Sequence, residues 1–547
     1  MQKLNSWMRK QPSGYTMKIK VKIFLFLIIL LAAFLRIYKL DQVPPSVNWD
    51  EAAAGYNAYA IANWGKDEWG KAFPLVFTSF KDDKHPIHIY LTVPFVKIFG
   101  LSDFTTRLPG AIIGVLSVLV IFYLTRILFK NDLTALISAL FLAVSPYHLQ
   151  FSRGLWEVNF ALFFFMLGLL MFYLALQKKG WLINISFLSF GLSILSYHSS
   201  KIVVPLIVLL LCFFYFKDLR KLSKNFYSGL LIFLVFISLL FIEPRLLGTA
   251  RVKQTQLNLE DFEKTTIYKM TKNSNLAIGE IFLKNYISHF TPQYLFLTGD
   301  QSPRNSVKTS GEFYKIDALF ILVGLLYLLK LRSRVTLILL AWLLLSPVPA
   351  SLVGGAPSAT RAVFMMGSMH LLSAFGATKI LKLTRNKIKL LALFIILLIL
   401  SIEVYSYLNY YYNIYPKKEP TDWQYGMKQI VEFVKDHPRY HTIYVTEERS
   451  QPYIFFLFYL KEPLPDFRNT VIYNRLDSKS YKYNTVSSFD KYYFGGWDPI
   501  ESAPLPSVLY VLTPSQYDGL KYRAKFNVVR IIHFPDGGND FYLVSAQ

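Results

Sequence analysis

Apolar runs of about 20 residues recur along this chain, and each of that length can cross a bilayer as a helix. They fall roughly at residues 21–38, 87–100, 107–129, 133–149, 157–177, 181–197, 201–216, 226–244, 315–331, 335–353, 362–383 and 388–413. No soluble domain has use for so many, so the chain reads as a polytopic membrane protein. Of its 547 residues, 53% are hydrophobic and 17% aromatic. A net charge of +24 raises the question of nucleic acid. The basic residues, however, sit in short clusters between apolar runs, where such clusters set topology. The partner implied is membrane lipid, with no nucleic acid. The single cysteine, Cys212, lies inside an apolar run, so an extracytoplasmic domain here folds without a disulfide.

Charge decides which runs cross. If all twelve did, the basic clusters would scatter over both sides. If residues 87–100 do not cross, every cluster falls inside: the N-terminus with Lys18, Lys20 and Lys22, then Arg126/Lys130, Lys178/Lys179, Lys217–Lys224, Lys330–Arg334 and Lys379–Lys389. That segment is also too short to span and carries Pro86 and Pro94. The expectation is eleven spans plus a juxtamembrane or re-entrant helix. Residues 1–20 form a cytoplasmic N-terminus and 21–414 an all-α membrane domain with outer loops 39–106 and 245–313. The first apolar run is read as a retained span and not a cleaved leader.

Beyond residue 415 the pattern changes. Asp422 to His437 has an amphipathic helical period, with Trp423, Met427, Ile430, Val431 and Val434 on one face. His441–Thr446, Ser507–Thr513, Phe526–Phe534 and Asp540–Ala546 read as strands, and Pro452–Leu460 as a helix. Residues 415–547 are therefore expected to form a small extracytoplasmic α/β domain. The tyrosines from Tyr407 to Tyr415 read as an aromatic belt closing the last span.

The polar stretch from Val47 to Pro86 is the main interruption among the apolar runs. Asn48 suits a helix N-cap before an Ala-rich run, which places Asp50 and Glu51 in a first turn, where the helix dipole favours ionised carboxylates. The plain reading of the pair is structural. The functional one follows from position, directly after the first span: a carboxylate beside a membrane-bound donor can serve as general base. With Asp82 or Asp83 it could also hold a divalent cation. Lys84 offers a cation to a phosphate or to Asp50; the plain alternative for Lys81–Lys84 is a solvated charge run. Arg107 reads as an anchor at the start of a span.

The order of these features resembles the integral-membrane glycosyltransferases of the GT-C fold, in particular the protein O-mannosyltransferase and aminoarabinose-transferase group. The shared order is a basic N-terminus, one span, Trp49-Asp50-Glu51, Lys84-His85-Pro86 before a short helix, and Phe104-Thr105-Thr106-Arg107-Leu108-Pro109 opening a span. Gln150–Arg153, Thr298–Arg304 and Pro357–Arg361 sit where that group has further polar motifs. The resemblance implies transfer of a sugar from a polyprenyl phosphate to an acceptor outside the cytoplasm, with inversion. The acceptor would be a protein, a lipid or a cell-surface glycan. By the same likeness Asp50 is the acid that deprotonates or orients the acceptor, Glu51 its catalytic neighbour, and Lys84 the basic residue that faces the donor phosphate. Arg153, Arg304 and Arg361 are further candidates for the phosphate, since guanidinium groups bind it in a bidentate way. Where relatives carry Lys-Pro-Pro this chain has Lys84-His85-Pro86. His85 and His88 lie three apart and share a helical face, as possible substrate or metal contacts with Asp83. Metal dependence is left open. Two rival readings remain: a flippase or transporter of polyprenyl-linked glycans, and a catalytically silent relative with a binding role. Charges concentrated at span ends and in outer loops favour the transferase.

Overall fold

The computed structural model describes residues 17–248, 257–384, 386–477, 484–496 and 504–547. Most of the N-terminal segment 1–20 and part of the loop 245–313 lie outside the described residues. The chain packs as two compact units: residues 1–38 with 110–408, and residues 39–109 with 409–547.

The first unit is helical. Among the described residues, six helices are long and apolar enough to cross a membrane: Asp103–Phe129, Glu157–Gln177, Ser200–Arg220, Lys224–Ile242, Arg334–Ser351 and Leu390–Lys418. A seventh span arises if the bent pair Asp132–Val144 and Pro146–Ser152 counts as one. Two more helices, Ile19–Ile37 and Phe364–Leu383, have the length. The first carries Lys20, Lys22 and Arg36, which lower its apolarity. Membrane helices associate by close packing more than by hydrophobic drive, so small residues mark their contacts. Helix Lys315–Lys330 meets Phe364–Leu383 in this way: a Cβ on Gly376 would stand 1.8 Å from the carbonyl oxygen of Phe320, and one on Gly324 would stand 2.1 Å from that of Leu372. Only glycine lets these backbones touch.

The second unit joins the first polar loop to the tail, which a linear division at residue 414 separates. Its loop portion holds the helix Trp49–Trp64, a hairpin of strands β1 (Phe77–Ser79) and β2 (Asp82–Lys84), and the helix Pro86–Phe99. The last has only 14 residues, with Pro94 inside.

The tail forms a seven-stranded mixed sheet. Its strands are β3 (Thr442–Thr446), β4 (Ile472–Tyr473), β5 (Val486–Phe489), β6 (Tyr492–Gly495), β7 (Val508–Leu512), β8 (Phe526–His533) and β9 (Asn539–Ala546). Their order is β4-β5-β6-β3-β7-β9-β8. The central β3 runs parallel to β6 and β7, and the outer pairs are antiparallel. Strand β7 is buried at every position, as a run without alternation requires. The loop packs against this domain through the Tyr56 hydroxyl on the Glu462 carbonyl (3.0 Å) and through Trp69 stacked on Tyr473 (5.0 Å).

Two sequence expectations shift here. The amphipathic helix starts at Met427, not Asp422, because Gln424 and Gly426 take left-handed conformations. A Cβ at Gly426 would lie 2.3 Å from an Asp540 carboxylate oxygen. Its apolar face, Met427, Ile430, Val431 and Val434, is buried as the period predicts. Of the five tyrosines from Tyr407 to Tyr415, Tyr410 and Tyr412 are half-exposed and three face the interior. Tyr407, Tyr411 and Tyr415 are spaced four apart and all buried, and Tyr411 stacks on Tyr415 at 5.6 Å.

Candidate active site

Asn48 caps the helix Trp49–Trp64. Its side chain accepts from the backbone N–H of Asp50 (2.9 Å) and Glu51 (3.1 Å), while Glu51 accepts from the Asn48 N–H (3.2 Å). This reciprocal box fixes the first turn and sends the two neighbouring acids opposite ways. Glu51 turns inward and is 1% exposed. Arg107, itself fully buried, grips it with two hydrogen bonds, Nε to Oε1 at 3.0 Å and Nη2 to Oε2 at 2.9 Å. The remaining Arg107 donors go to the carbonyls of Leu40 (3.1 Å), Pro44 (2.9 Å) and Ser46. One guanidinium thus ties the chain before the helix to the helix itself.

Asp50 turns outward. Its carboxylate meets the Lys84 ammonium at 2.8 Å, and the same ammonium reaches Asp82 at 3.3 Å. Both members of the Asp50–Lys84 pair keep solvent access, with side-chain exposures of 33% and 19%. Lys84 is held out by the hairpin. Ser79 pairs with Asp82 across a two-residue turn whose residues, Phe80 and Lys81, both have positive φ, the geometry that suits strand twist. The stretch Lys81–Lys84 is therefore a turn and a strand and not a loose charge run. Asp83 receives a long hydrogen bond from Thr78 (3.5 Å). His85 and His88 are buried at the start of the helix Pro86–Phe99. Among the described residues, no group of three or more His, Cys, Asp or Glu side chains is arranged to hold a metal ion.

Beneath this surface lies Glu68, buried in the second unit. It accepts from Asn57 (3.4 Å), Ser79 (3.2 Å) and the Tyr453 hydroxyl (3.4 Å). Burial pushes its carboxyl up to about 8, against hydrogen bonds that favour the anion. It links the helix, the hairpin and the tail.

The remaining candidates belong to the first unit. Arg153 is fully buried and donates to the carbonyls of Leu35 (2.6 Å) and Tyr38 (2.8 Å). It closes the end of the helix Ile19–Ile37. Arg36 lies fully buried in the same helix end and contacts the carbonyl of Ala143 (3.0 Å) and the ring of His148 (2.6 Å). Thr298–Arg304 and Pro357–Arg361, distant in sequence, come together. Asp300 accepts from the Ala359 N–H (2.7 Å), the Ser302 N–H (2.7 Å) and Asn305 (3.2 Å). His289 accepts from the Ser358 N–H at Nε2 (3.0 Å), so its Nδ1 donates to the Asn285 carbonyl (2.8 Å). Burial lowers this imidazole to about 4. Arg361 donates to the Gly354 carbonyl (2.7 Å), and the Arg304 carbonyl accepts from Gln150 (2.7 Å).

Residues 83–242 match the family model of dolichyl-phosphate-mannose-protein mannosyltransferases. No curated protein matches the chain in sequence. Among solved structures it is similar to ArnT from Cupriavidus metallidurans in the apo state, at 12% identity, TM-score 0.57, covering 96% of this chain and 97% of that one. The same protein bound to undecaprenyl phosphate gives 13% and 0.55, with coverage of 96% and 97%. The chain has the GT-C fold. A further GT-C match is the archaeal oligosaccharyltransferase AglB from Archaeoglobus fulgidus, in complex with an inhibitory peptide and a dolichol-phosphate, at 17% identity and TM-score 0.53. It covers 82% of this chain, which spans 64% of the AglB chain, less than two thirds of its length.

The sequence match to the mannosyltransferase model starts at Asp83 and takes in Lys84, Arg107 and Arg153, leaving Asp50 and Glu51 outside it. Sequence reading missed the Glu51–Arg107 clasp. A signal existed: an arginine within a helix that continues as an apolar span is costly unless it finds an acid, and Glu51 precedes it in the same loop. Glu68 and His289 gave no signal, because each contact set is completed by a distant residue, Tyr453 for Glu68 and Ser358 for His289.

Proposed function

We propose that this chain is an inverting membrane glycosyltransferase that moves a sugar from a polyprenyl-phosphate donor to an acceptor on the outer side of the membrane. The observation that carries the reading is the pair Asp50–Lys84: a solvent-accessible carboxylate on a clasped helix turn, 2.8 Å from an ammonium on a hairpin. The undecaprenyl phosphate and dolichol-phosphate named for two similar structures support a lipid-phosphate donor. Asp50 acts as general base, taking the proton of the acceptor hydroxyl as its oxygen attacks the anomeric carbon. The bond from that carbon to the phosphate oxygen breaks, and its electron pair leaves with the polyprenyl phosphate. Lys84 stabilises the charge that develops there. Glu51 does not touch substrate in this scheme; through Arg107 it positions the turn that carries Asp50. Arg361 and Arg304 are the phosphate candidates of the first unit. The orientation is N-terminus inside and tail outside, with eleven spans and the helix Pro86–Phe99 as a juxtamembrane element.

Asp50→Asn keeps the shape and removes the base. Transfer from a polyprenyl-phosphate sugar should fall by about 10²-fold or more, at unchanged protein level. Wild-type turnover by this variant, in membranes given a panel of such donors, would refute Asp50 as the base.

A further inference from the structure

Asp50 and Asn57 stand seven residues apart on the helix Trp49–Trp64. Seven residues make close to two turns, so both side chains leave the same face, about 10 Å apart along the axis. That face meets the hairpin twice. At the first contact Asp50 reaches Lys84 at 2.8 Å. At the second, Glu68 stands between helix and hairpin. Its N–H donates to Asn57 Oδ1 (2.9 Å), and its carboxyl group accepts from Asn57 Nδ2 (3.4 Å) and from the Ser79 hydroxyl (3.2 Å). The indole of the next residue, Trp69, donates to the Thr78 carbonyl at 2.6 Å. Thr78 and Ser79 pair across the hairpin with Asp83 and Asp82. Residues 68 and 69 thus hold β1, the strand beside the one that carries Lys84.

Glu68 is 2% exposed, and a buried carboxyl group is costly unless hydrogen bonds satisfy it. An apolar side chain would fill the same space at less cost. What the carboxyl group adds is direction, since its hydrogen bonds demand donors at set distances and angles. The reaction proposed for the site gives that direction a use. Asp50 must turn to an acceptor hydroxyl and Lys84 to a phosphate, so their contact opens. The Lys84–Asp82 contact (3.3 Å) joins two residues of one strand and cannot hold the hairpin to the helix. Strand β2 leads through His85 into the helix Pro86–Phe99, which fixes one end of the hairpin. The turn end rests on Glu68.

We infer that Glu68 is a positioning residue of the proposed site: it latches the hairpin to the helix, so that Lys84 keeps its place while the Asp50–Lys84 pair is open. This rests on the transferase reading and adds to it a residue outside the reacting pair.

Hydrogen exchange of the amides of residues 77–84, followed by mass spectrometry on the full chain in lipid nanodiscs, tests the latch. Asp50→Asn removes the ion pair and should leave their protection close to that of the wild type. Glu68→Leu should lower it by about tenfold. Glu68→Gln still accepts from Ser79 and Asn57 and should keep most of it. Should Glu68→Leu fail to fold, Ser79→Ala carries the same measurement. Turnover gives a second readout. Ser79→Ala cuts the hairpin side of the latch, and Tyr453→Phe cuts the tail side while keeping its ring beside Phe80. With mannose, glucose and N-acetylglucosamine offered on undecaprenyl phosphate to native membranes, and rates taken per folded molecule, Ser79→Ala should lower kcat/KM for the donor by about tenfold. Tyr453→Phe should leave it unchanged. Three results overturn the inference: Asp50→Asn loosens the hairpin as much as Glu68→Leu, the latch variants leave it fully protected, or Ser79→Ala and Tyr453→Phe change the rate equally. If the wild type consumes none of these donors, the transferase reading falls, and the exchange result alone decides the latch.

Discussion

The polar cluster around Asp50 and the one around Asp300 differ in what pairs with their acids. In the first, each acid meets a cation: Glu51 grips Arg107, and Asp50 meets Lys84. In the second, the ties run mostly to main chain: Asp300 holds the Ala359 and Ser302 N–H groups beside Asn305, and His289 holds the N–H of Ser358. A main-chain tie fixes where a loop runs. A charge pair with solvent access can exchange one partner for another, which a reaction centre requires. Within the Asp50 cluster the contrast repeats over one residue, since the buried Glu51 pair cannot exchange and the accessible Asp50 pair can.

The sharpest way to break the comparison is Arg107→Met. It leaves Glu51 buried without its cation, a loss of about 3–5 kcal/mol, and should abolish accumulation of folded protein, read by detergent-resistant monodispersity. Asp300→Ala removes three hydrogen bonds from a mostly buried group and should cost about 1–3 kcal/mol. Faster proteolysis of the segment 357–361 would report it, with the Asp50 unit unaffected.

The pH dependence should have opposite signs in the two clusters. Glu68 is held up at about 8 against an ordinary value of 4.5. Its stabilising contribution is complete below 4.5 and drains away as pH rises to about 8. Glu68→Gln should flatten that decline in melting temperature. His289 is held down at about 4 from 6.5. Its contribution is complete above 6.5 and is lost as pH falls toward 4, and His289→Asn should flatten the acid limb. The smallest stability effect belongs to Lys84→Gln, within about 1 kcal/mol for an accessible pair. Its transfer rate should nevertheless drop tenfold or more. A large stability loss with normal transfer would make Lys84 structural.

How far the sequence could be read follows from the range of the interactions. Apolar runs, the Asn48 cap and the amphipathic face of Met427–Val434 are local patterns, and they were legible. So was the character of the tail, although strands β4, β5 and β6 are short and escaped notice. The count of spans rests on charge asymmetry, whereas helix length and apolarity alone give six or seven among the described residues. Arg107 looked like a span anchor because its partner lies 56 residues upstream. Nothing local reveals that Arg153 closes a helix 115 residues away. Asp300 and Arg361 were noticed as separate motifs, and only the fold ties their loops together.

The second unit is made of two pieces, residues 39–109 and 409–547, and this sets the order of its making. The loop that carries Asp50 and Lys84 is synthesised about 360 residues before the sheet against which it packs, counting from Lys84 to Thr442. At about 5–20 residues per second, that interval is on the order of 20–70 s. Throughout it, Trp69 has no Tyr473 to stack on and Glu68 no Tyr453. A nascent chain lacking its last 130 or so residues therefore carries Asp50 and Lys84, the groups proposed to react, without the scaffold that holds them. The proposed site comes into being only when synthesis is nearly complete, so a truncated product should be inert.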